Sequence, residues 1–136
     1  MLIEELRQQI KTRHDITPDN KILVYDVDTS DINYSKEPPH FKNMAKKHGD
    51  IIGALSLNTR SYDDVAVVDD IYIHSDYRGM GIGIELYKRA YEYAKSKKRI
   101  LGSFSDMRTN VTNKIWIKAG FTTRDDGLDI MTGKPR

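Results

Sequence analysis

The chain has 136 residues, 22 of them Lys or Arg and 20 Asp or Glu, giving a net charge of +2. That length suits one domain with one mixed core, here read as residues 1–136. The near balance of charge removes the basic field that a nucleic-acid partner would call for. No run of about eighteen apolar residues exists, so no membrane contact is expected. Cysteine is absent, which excludes a disulfide, a thiolate metal site and a cysteine nucleophile, and His14, His40, His48 and His74 lack metal-site spacing. No metal is expected. The opening MLIEELRQQIKTRHD carries acidic residues where a secretory signal would be basic, so the expected location is the cytoplasm.

In chain order, a first helix is predicted from Leu2 to Arg13, with Leu2, Ile3, Leu6 and Ile10 on one face and the Thr17-Pro18-Asp19-Asn20 turn as its stop. A strand follows from Lys21 to Val27. The polar stretch from Asp28 to Gly49, with Pro38-Pro39 inside it, reads as a long loop with a short helical turn from Phe41 to Lys47. Ile51 to Asn58 and Val65 to Ile73 pair as a hairpin through Ser61 to Asp64. A long helix from Gly81 to Lys97 places Ile82, Leu86, Ala90 and Tyr93 on one face, and Tyr87, Tyr91 and Tyr93 read as core and packing edge. A strand from Arg99 to Ser105 and a helix from Val111 to Ala119 come next. The last pair of strands, Phe121 to Arg124 and Leu128 to Met131, turns at Asp126-Gly127.

The most informative run is SDYRGMGIG, Ser75 to Gly83, between the second hairpin strand and the long helix. Gly79, Gly81 and Gly83 are read as letting backbone N–H groups turn toward one point at a helix N-terminus, where the dipole adds positive potential. Such a site suits a pyrophosphate. The dinucleotide fingerprint G-x-G-x-x-G fails in both frames, because its last glycine falls on Ile84 or Leu86, and the nucleoside-triphosphate loop is absent.

The remaining pattern, Arg78-Gly79-Met80-Gly81-Ile82-Gly83, resembles the acyl-CoA-binding motif of the GNAT superfamily of N-acetyltransferases. VVDDIYIHSDYRGMGIG is similar to the corresponding run of the diamine (spermidine/spermine) N-acetyltransferases within it, and NVTNKIWIKAGF, Asn110 to Phe121, to the family's later helix motif. With IIGALSL the likeness runs from about Asp50 to Phe121. It implies an α/β, GNAT-like acyl-CoA N-acyltransferase fold, with a mixed, mostly antiparallel sheet flanked by helices. In this chain that fold reads as N-terminally shortened, with the family's first strand missing. The resemblance also implies acetyl-CoA as cosubstrate and a primary amine as acceptor, either a small polyamine-like amine or a protein lysine or N-terminus. Transfer would be direct, and a homodimer is expected only by analogy.

The same resemblance assigns the cofactor contacts. Backbone groups of Ile71, Tyr72 and Ile73 would hold the pantetheine, and Arg78, Gly79, Met80, Gly81, Ile82 and Gly83 the pyrophosphate. Asn110 is either a cofactor contact or a helix N-cap. An alkylamine with a pKa of about 10.4 arrives as ammonium, so a carboxylate near the cleft is needed to hold it and relay its proton. Asp69 and Asp70 are the candidates, on opposite faces if pairing is regular and exchanged by a bulge. In the family a Tyr four residues before the late-helix glycine protonates the leaving thiolate; here that position is Trp116, which leaves water, Tyr72, Ser103 or Ser105 for the task. The alternative function is a catalytically weak or inactive acyl-CoA-binding or protein-interaction module on the same scaffold.

Overall fold

The computed structural model describes residues 12–28 and 31–104, together with the backbone of 121–123 and 128–131. The elements are β1 (Thr12–Ile16), β2 (Lys21–Asp26), α1 (Pro39–His48), β3 (Ile51–Asn58), β4 (Val65–Ile73), α2 (Ile82–Ser96), β5 (Ile100–Phe104), β6 (Phe121–Thr123) and β7 (Leu128–Met131). Seven strands form one sheet in the order β1-β2-β3-β4-β5-β7-β6 among the described residues. Every neighbouring pair is antiparallel except β4 with β5, which are joined by the α2 crossover. The expected mixed, mostly antiparallel sheet is therefore present.

Each face of the sheet has its own apolar layer because side chains alternate along each strand. Ile22, Val24, Leu55, Leu57, Ala66, Val68 and Leu101 pack with Ile82, Leu86, Tyr87, Ala90 and Ala94 of α2. Leu23, Tyr25, Ile51 and Ala54 pack with Phe41 of α1 on the other face. Gly53 lets α2 approach closely: a Cβ there would lie 3.1 Å from Ile82 Cγ2 and 3.3 Å from Leu86 Cδ1. Tyr87 is buried, and Tyr91 and Tyr93 lie at the edge of the same layer, as read from the sequence.

Several boundaries differ from expectation. A strand that the sequence does not predict precedes β2: Thr12 to Ile16 pair with Asp26 to Ile22. The predicted first helix thus cannot run to Arg13, because Thr12 and Arg13 belong to β1, and its earlier part lies outside the described residues. The stretch expected to be mostly loop contains a full helix, α1, which starts with Pro39 in its first turn, where a missing N–H costs nothing. The predicted helix at 111–119 lies outside the described residues, and the closing hairpin is observed as β6 and β7.

Candidate acetyl-CoA and amine site

β4 and β5 separate where the site lies. Their parallel ladder pairs Val65 with Ile100, Ala66 with Leu101 and Val67 with Gly102 and then stops, although β4 continues to Ile73 and β5 to Phe104. The outer edge of β4 from Val68 onward has no strand partner among the described residues. Hydrogen-bonding direction alternates along a strand, and the His74 N–H donates to the Ile52 carbonyl at 2.9 Å. Counting back from that bond, the backbone groups of Tyr72 and Asp70 serve the β3 ladder, while those of Ile73 and Ile71 point into the opening. Of the three residues expected to offer backbone groups, Ile71 and Ile73 are so placed. Tyr72 is not: its backbone serves β3, and its hydroxyl donates to Glu37.

A bulge sets the carboxylates. Ser56 pairs with Asp70 and Leu57 with Val68, so Asp69 is the extra residue of β4. Ala66 and Val68 face α2 before it, and Ile71 and Ile73 after it, so the side-chain parity changes at Asp69. The regular alternation that would put Asp69 and Asp70 on opposite faces is broken, and both are exposed. Although the residue is exposed overall, partial desolvation of the Asp69 carboxyl, then the charge of Asp70, pushes it above the usual carboxylate range. Asp70 Oδ2 lies 3.8 Å from Nε2 of His40, in the first turn of α1. The His40 ring meets the Tyr72 ring edge-on at 5.4 Å, and Phe41 packs on Tyr72 at 4.7 Å. α1 therefore stands beside Asp70, and His40 is a candidate site residue that the sequence does not single out.

Beyond β4 the chain makes a 3-10 turn, Ser75–Tyr77, and then the glycine turn. Gly79 and Gly81 have φ of +78° and +81°, the left-handed region that glycine enters without Cβ strain. Gly83 does not share this role: it is a buried residue in the first turn of α2, so two glycines, not three, shape the backbone. Among the described residues, no acceptor is met by the N–H groups of Gly81, Ile82 or Gly83, while the turn over Arg78 and Gly79 engages that of Met80. Those of Ile82 and Gly83 are the donors that any helix leaves unpaired at its start. A Cβ on Gly79 would meet nothing within 4 Å, so the turn is open on that side. An anion with several oxygens fits this set of donors at the positive end of the α2 dipole. Arg78 Nε donates to the Ile73 carbonyl at 3.2 Å, and its guanidinium lies 5.3 Å from the Tyr72 ring centroid.

The approach to this turn is bonded to the α1 side. Glu37, 3% exposed, accepts the Ser75 N–H at 2.7 Å, the Ser75 hydroxyl at 2.8 Å and the Tyr72 hydroxyl at 3.1 Å. Burial opposes its charge, but the Ser75 donors foremost outweigh it and hold the carboxyl below its ordinary value. His74 Nδ1 is 3.8 Å from Glu37, yet that nitrogen accepts the Asp76 N–H while Nε2 lies 2.6 Å from the Asn33 carbonyl. These partners assign the neutral Nε2–H tautomer, so the pair is not an ion pair. Tyr77 donates to Asp26 at 3.1 Å, and burial first, then that bond, pushes its phenol up to about 12. The Tyr72 phenol is raised as well, by burial and then by Glu37, so it is a poor stand-in acid. Ser103 is buried, whereas Ser105, Asn110 and Trp116 lie outside the described residues.

The chain matches the acetyltransferase (GNAT) family over residues 3–117, more than half its length, and belongs to that family of acetyl-CoA-dependent acyltransferases. No curated protein shows a significant sequence match. Among solved structures, nourseothricin acetyltransferase aligns with a TM-score of 0.52 and 19% identity over 83% of this chain and 62% of its own. The yncA protein of Salmonella typhimurium, solved with its cofactor acetyl-CoA, aligns at 0.53 and 16% over 93% of this chain and 65% of its own. The NatC complex bound to a Gag peptide and CoA aligns at 0.51 and 12% over 81% of this chain and 66% of its own. These likenesses show the fold, and this chain spans slightly less than two-thirds of each of those three.

Proposed function

We propose that this chain is an acetyl-CoA-dependent N-acetyltransferase that acetylates a primary amine by direct transfer, as one domain over residues 1–136 in the cytoplasm. One observation carries the reading. Among the described residues, the β4 edge beyond Val67 has no strand partner, presents the backbone groups of Ile71 and Ile73, and leads straight into a left-handed glycine turn at the start of α2, and Asp69 and Asp70 sit on that same strand.

Bound acetyl-CoA supplies an activated thioester. Gly79 to Gly83 and Arg78 hold its phosphates, and the outward N–H groups of Ile71 and Ile73 orient the pantetheine and polarise the thioester carbonyl. Asp70 holds the incoming ammonium, and Asp69, whose raised basicity suits it better to the task, takes the proton directly or through water. The amine nitrogen then bonds to the acetyl carbon as the carbon–sulfur bond breaks, and the second proton it must lose passes to the departing sulfur, directly or through water. A thiolate with a pKa of about 8.5 leaves without a dedicated acid.

Two carboxylates beside an aromatic ring favour a cationic acceptor, and the polyamine-like class fits them first. Protein amines remain the second acceptor class, since the structural neighbours include both nourseothricin acetyltransferase and a complex bound to a peptide. A shallow depression of about 390 Å³ beside α1 is lined by Tyr34, Ser35, Lys42, Ala45 and Lys46, and its lysines would repel an ammonium. Incubation with acetyl-CoA and a panel of polyamines, lysine peptides and N-terminal peptides tests the proposal, read as CoA thiol release and the mass of one added acetyl group. Acetylation of any panel amine supports it; acetyl-CoA binding without product from any of them would favour the inactive module.

A further inference from the structure

Glu37 is a fully buried carboxylate, and among the described residues no charged cation lies against it. Its contacts are three hydrogen-bond donors, two from Ser75 and one from Tyr72, and the nearby His74 is neutral by its own hydrogen bonds. A buried charge carries a large desolvation cost, and a packed apolar residue would hold a loop against a sheet without it. What the carboxylate adds is geometry, because charge-assisted bonds from an amide and a hydroxyl of one residue fix that residue tightly. The fixed residue is Ser75, where β4 ends and the approach to the glycine turn begins. Tyr72, the other donor, is the ring against which His40, Phe41 and Arg78 are set. Glu37 itself is followed by Pro38 and then by α1, so one side chain joins α1 to the cofactor turn.

We propose that Glu37 is a positioning residue for acetyl-CoA binding: by holding Ser75 and Tyr72 it sets the glycine turn and the β4 edge in the arrangement that receives the pyrophosphate and pantetheine, and it registers α1 against them. The inference rests on the acetyl-CoA reading above. It differs from a purely structural role in what it affects, namely ligand affinity in the folded protein.

Four variants of the full chain test it: Glu37→Gln, Ser75→Ala, Ser75→Thr and the Glu37→Gln/Ser75→Ala pair. Acetyl-CoA binding is measured by calorimetry at a temperature where circular dichroism shows each variant folded. Glutamine removes the charge, and its NH2 replaces the carboxylate oxygen that accepts the Ser75 hydroxyl, so that bond must reverse its direction and both Ser75 bonds lose their charge assistance. About tenfold weaker binding is expected for Glu37→Gln, a similar or smaller loss for Ser75→Ala, near wild-type affinity for Ser75→Thr, and a double variant well short of additive. Unchanged affinity in folded Glu37→Gln and Ser75→Ala, with only a lowered melting temperature, would overturn the proposal. If Glu37→Gln does not fold, the Ser75→Ala and Ser75→Thr comparison decides by the same criterion. Wild-type protein that binds no acetyl-CoA would bring down the underlying reading and this proposal with it, whereas wild-type binding matched by the variants removes this proposal alone.

Discussion

Arg78 Nε donates to the carbonyl of Ile73 at 3.2 Å, so the arginine that leads into the glycine turn also caps the strand that feeds it. One end of the guanidinium is thereby anchored, and the group also hydrogen-bonds the Tyr72 hydroxyl beside the turn. Lysine has the charge but neither the fork nor the Nε donor. Arg78→Lys and Arg78→Ala are both expected to weaken acetyl-CoA binding by about tenfold or more while changing stability by about 1 kcal/mol or less, because the side chain is exposed. Calorimetry and thermal melts check the two halves of this expectation separately.

The two carboxylates of β4 should divide their work. Asp69→Asn is expected to lower kcat far more than it changes acetyl-CoA affinity, and Asp70→Asn to raise KM for the amine. Asp69 also makes a signed prediction about stability. Its pKa is raised in the fold, so its contribution is greatest below the unfolded value and is lost as pH rises through the raised one. At neutral pH the charge is a cost, and Asp69→Asn should melt slightly higher than wild type while turning over more slowly. The acid limb of wild-type kcat, which requires ionised Asp69, should vanish in the variant. A lower melting point with unchanged kcat would remove Asp69 from the mechanism.

Gly81→Ala places a Cβ at φ +81°, ψ +10° and is expected to cost about 1–2 kcal/mol of stability. Gly79→Ala, at φ +78°, carries a similar strain without a clash in the free protein. Because its Cβ would project into open space at the turn, Gly79→Ala should also lose acetyl-CoA affinity. Denaturant melts with and without acetyl-CoA separate strain from lost binding: wild type should gain more from the ligand than Gly79→Ala does.

Tyr77 ties the 3-10 turn to β2 through Asp26, and its phenol stands at about 12 in the fold against an unfolded value of about 10. The protonated form is favoured in the fold, so this stabilisation is complete below about pH 10 and lost as pH rises toward 12. Tyr77→Phe should therefore be less stable than wild type at neutral pH, by about 1 kcal/mol, with the difference shrinking between pH 10 and 12. Tyr25, Tyr34 and Tyr72 are also raised, chiefly by burial, so an alkaline decline should persist in the variant.

The parts of the fold that were legible in the sequence are those whose pattern is local. Ile51 to Asn58 and Val65 to Ile73 are aliphatic strands around a polar turn, and both were placed with the bounds observed. β1 was not legible: Thr12 to Ile16 is a polar edge strand that buries little, and the helical spacing of Leu2 to Ile10 ran into it. The bulge at Asp69 exists only through its pairing with Ser56 and Leu57, so no reading of β4 alone could choose the faces of Asp69 and Asp70. The glycine turn was legible as a phosphate-binding pattern, but Gly83 proved to be a helix residue. Glu37 and His40 lie in a polar stretch, and nothing local marks them because their partners, Ser75, Tyr72 and Asp70, are remote in sequence. A charged residue directly before Pro38-Pro39 was the available hint.

Everything proposed for this chain requires that the β4 opening and the glycine turn bind acetyl-CoA. The most direct test is the thermal melting shift of the wild-type chain on titration with acetyl-CoA, with NAD and ATP as controls. At one hundred times Kd the ligand should add about 2.7 kcal/mol of stability, a shift of many degrees for a domain of this size. A shift specific to acetyl-CoA is the predicted result; a folded protein whose melting point ignores acetyl-CoA would contradict the account.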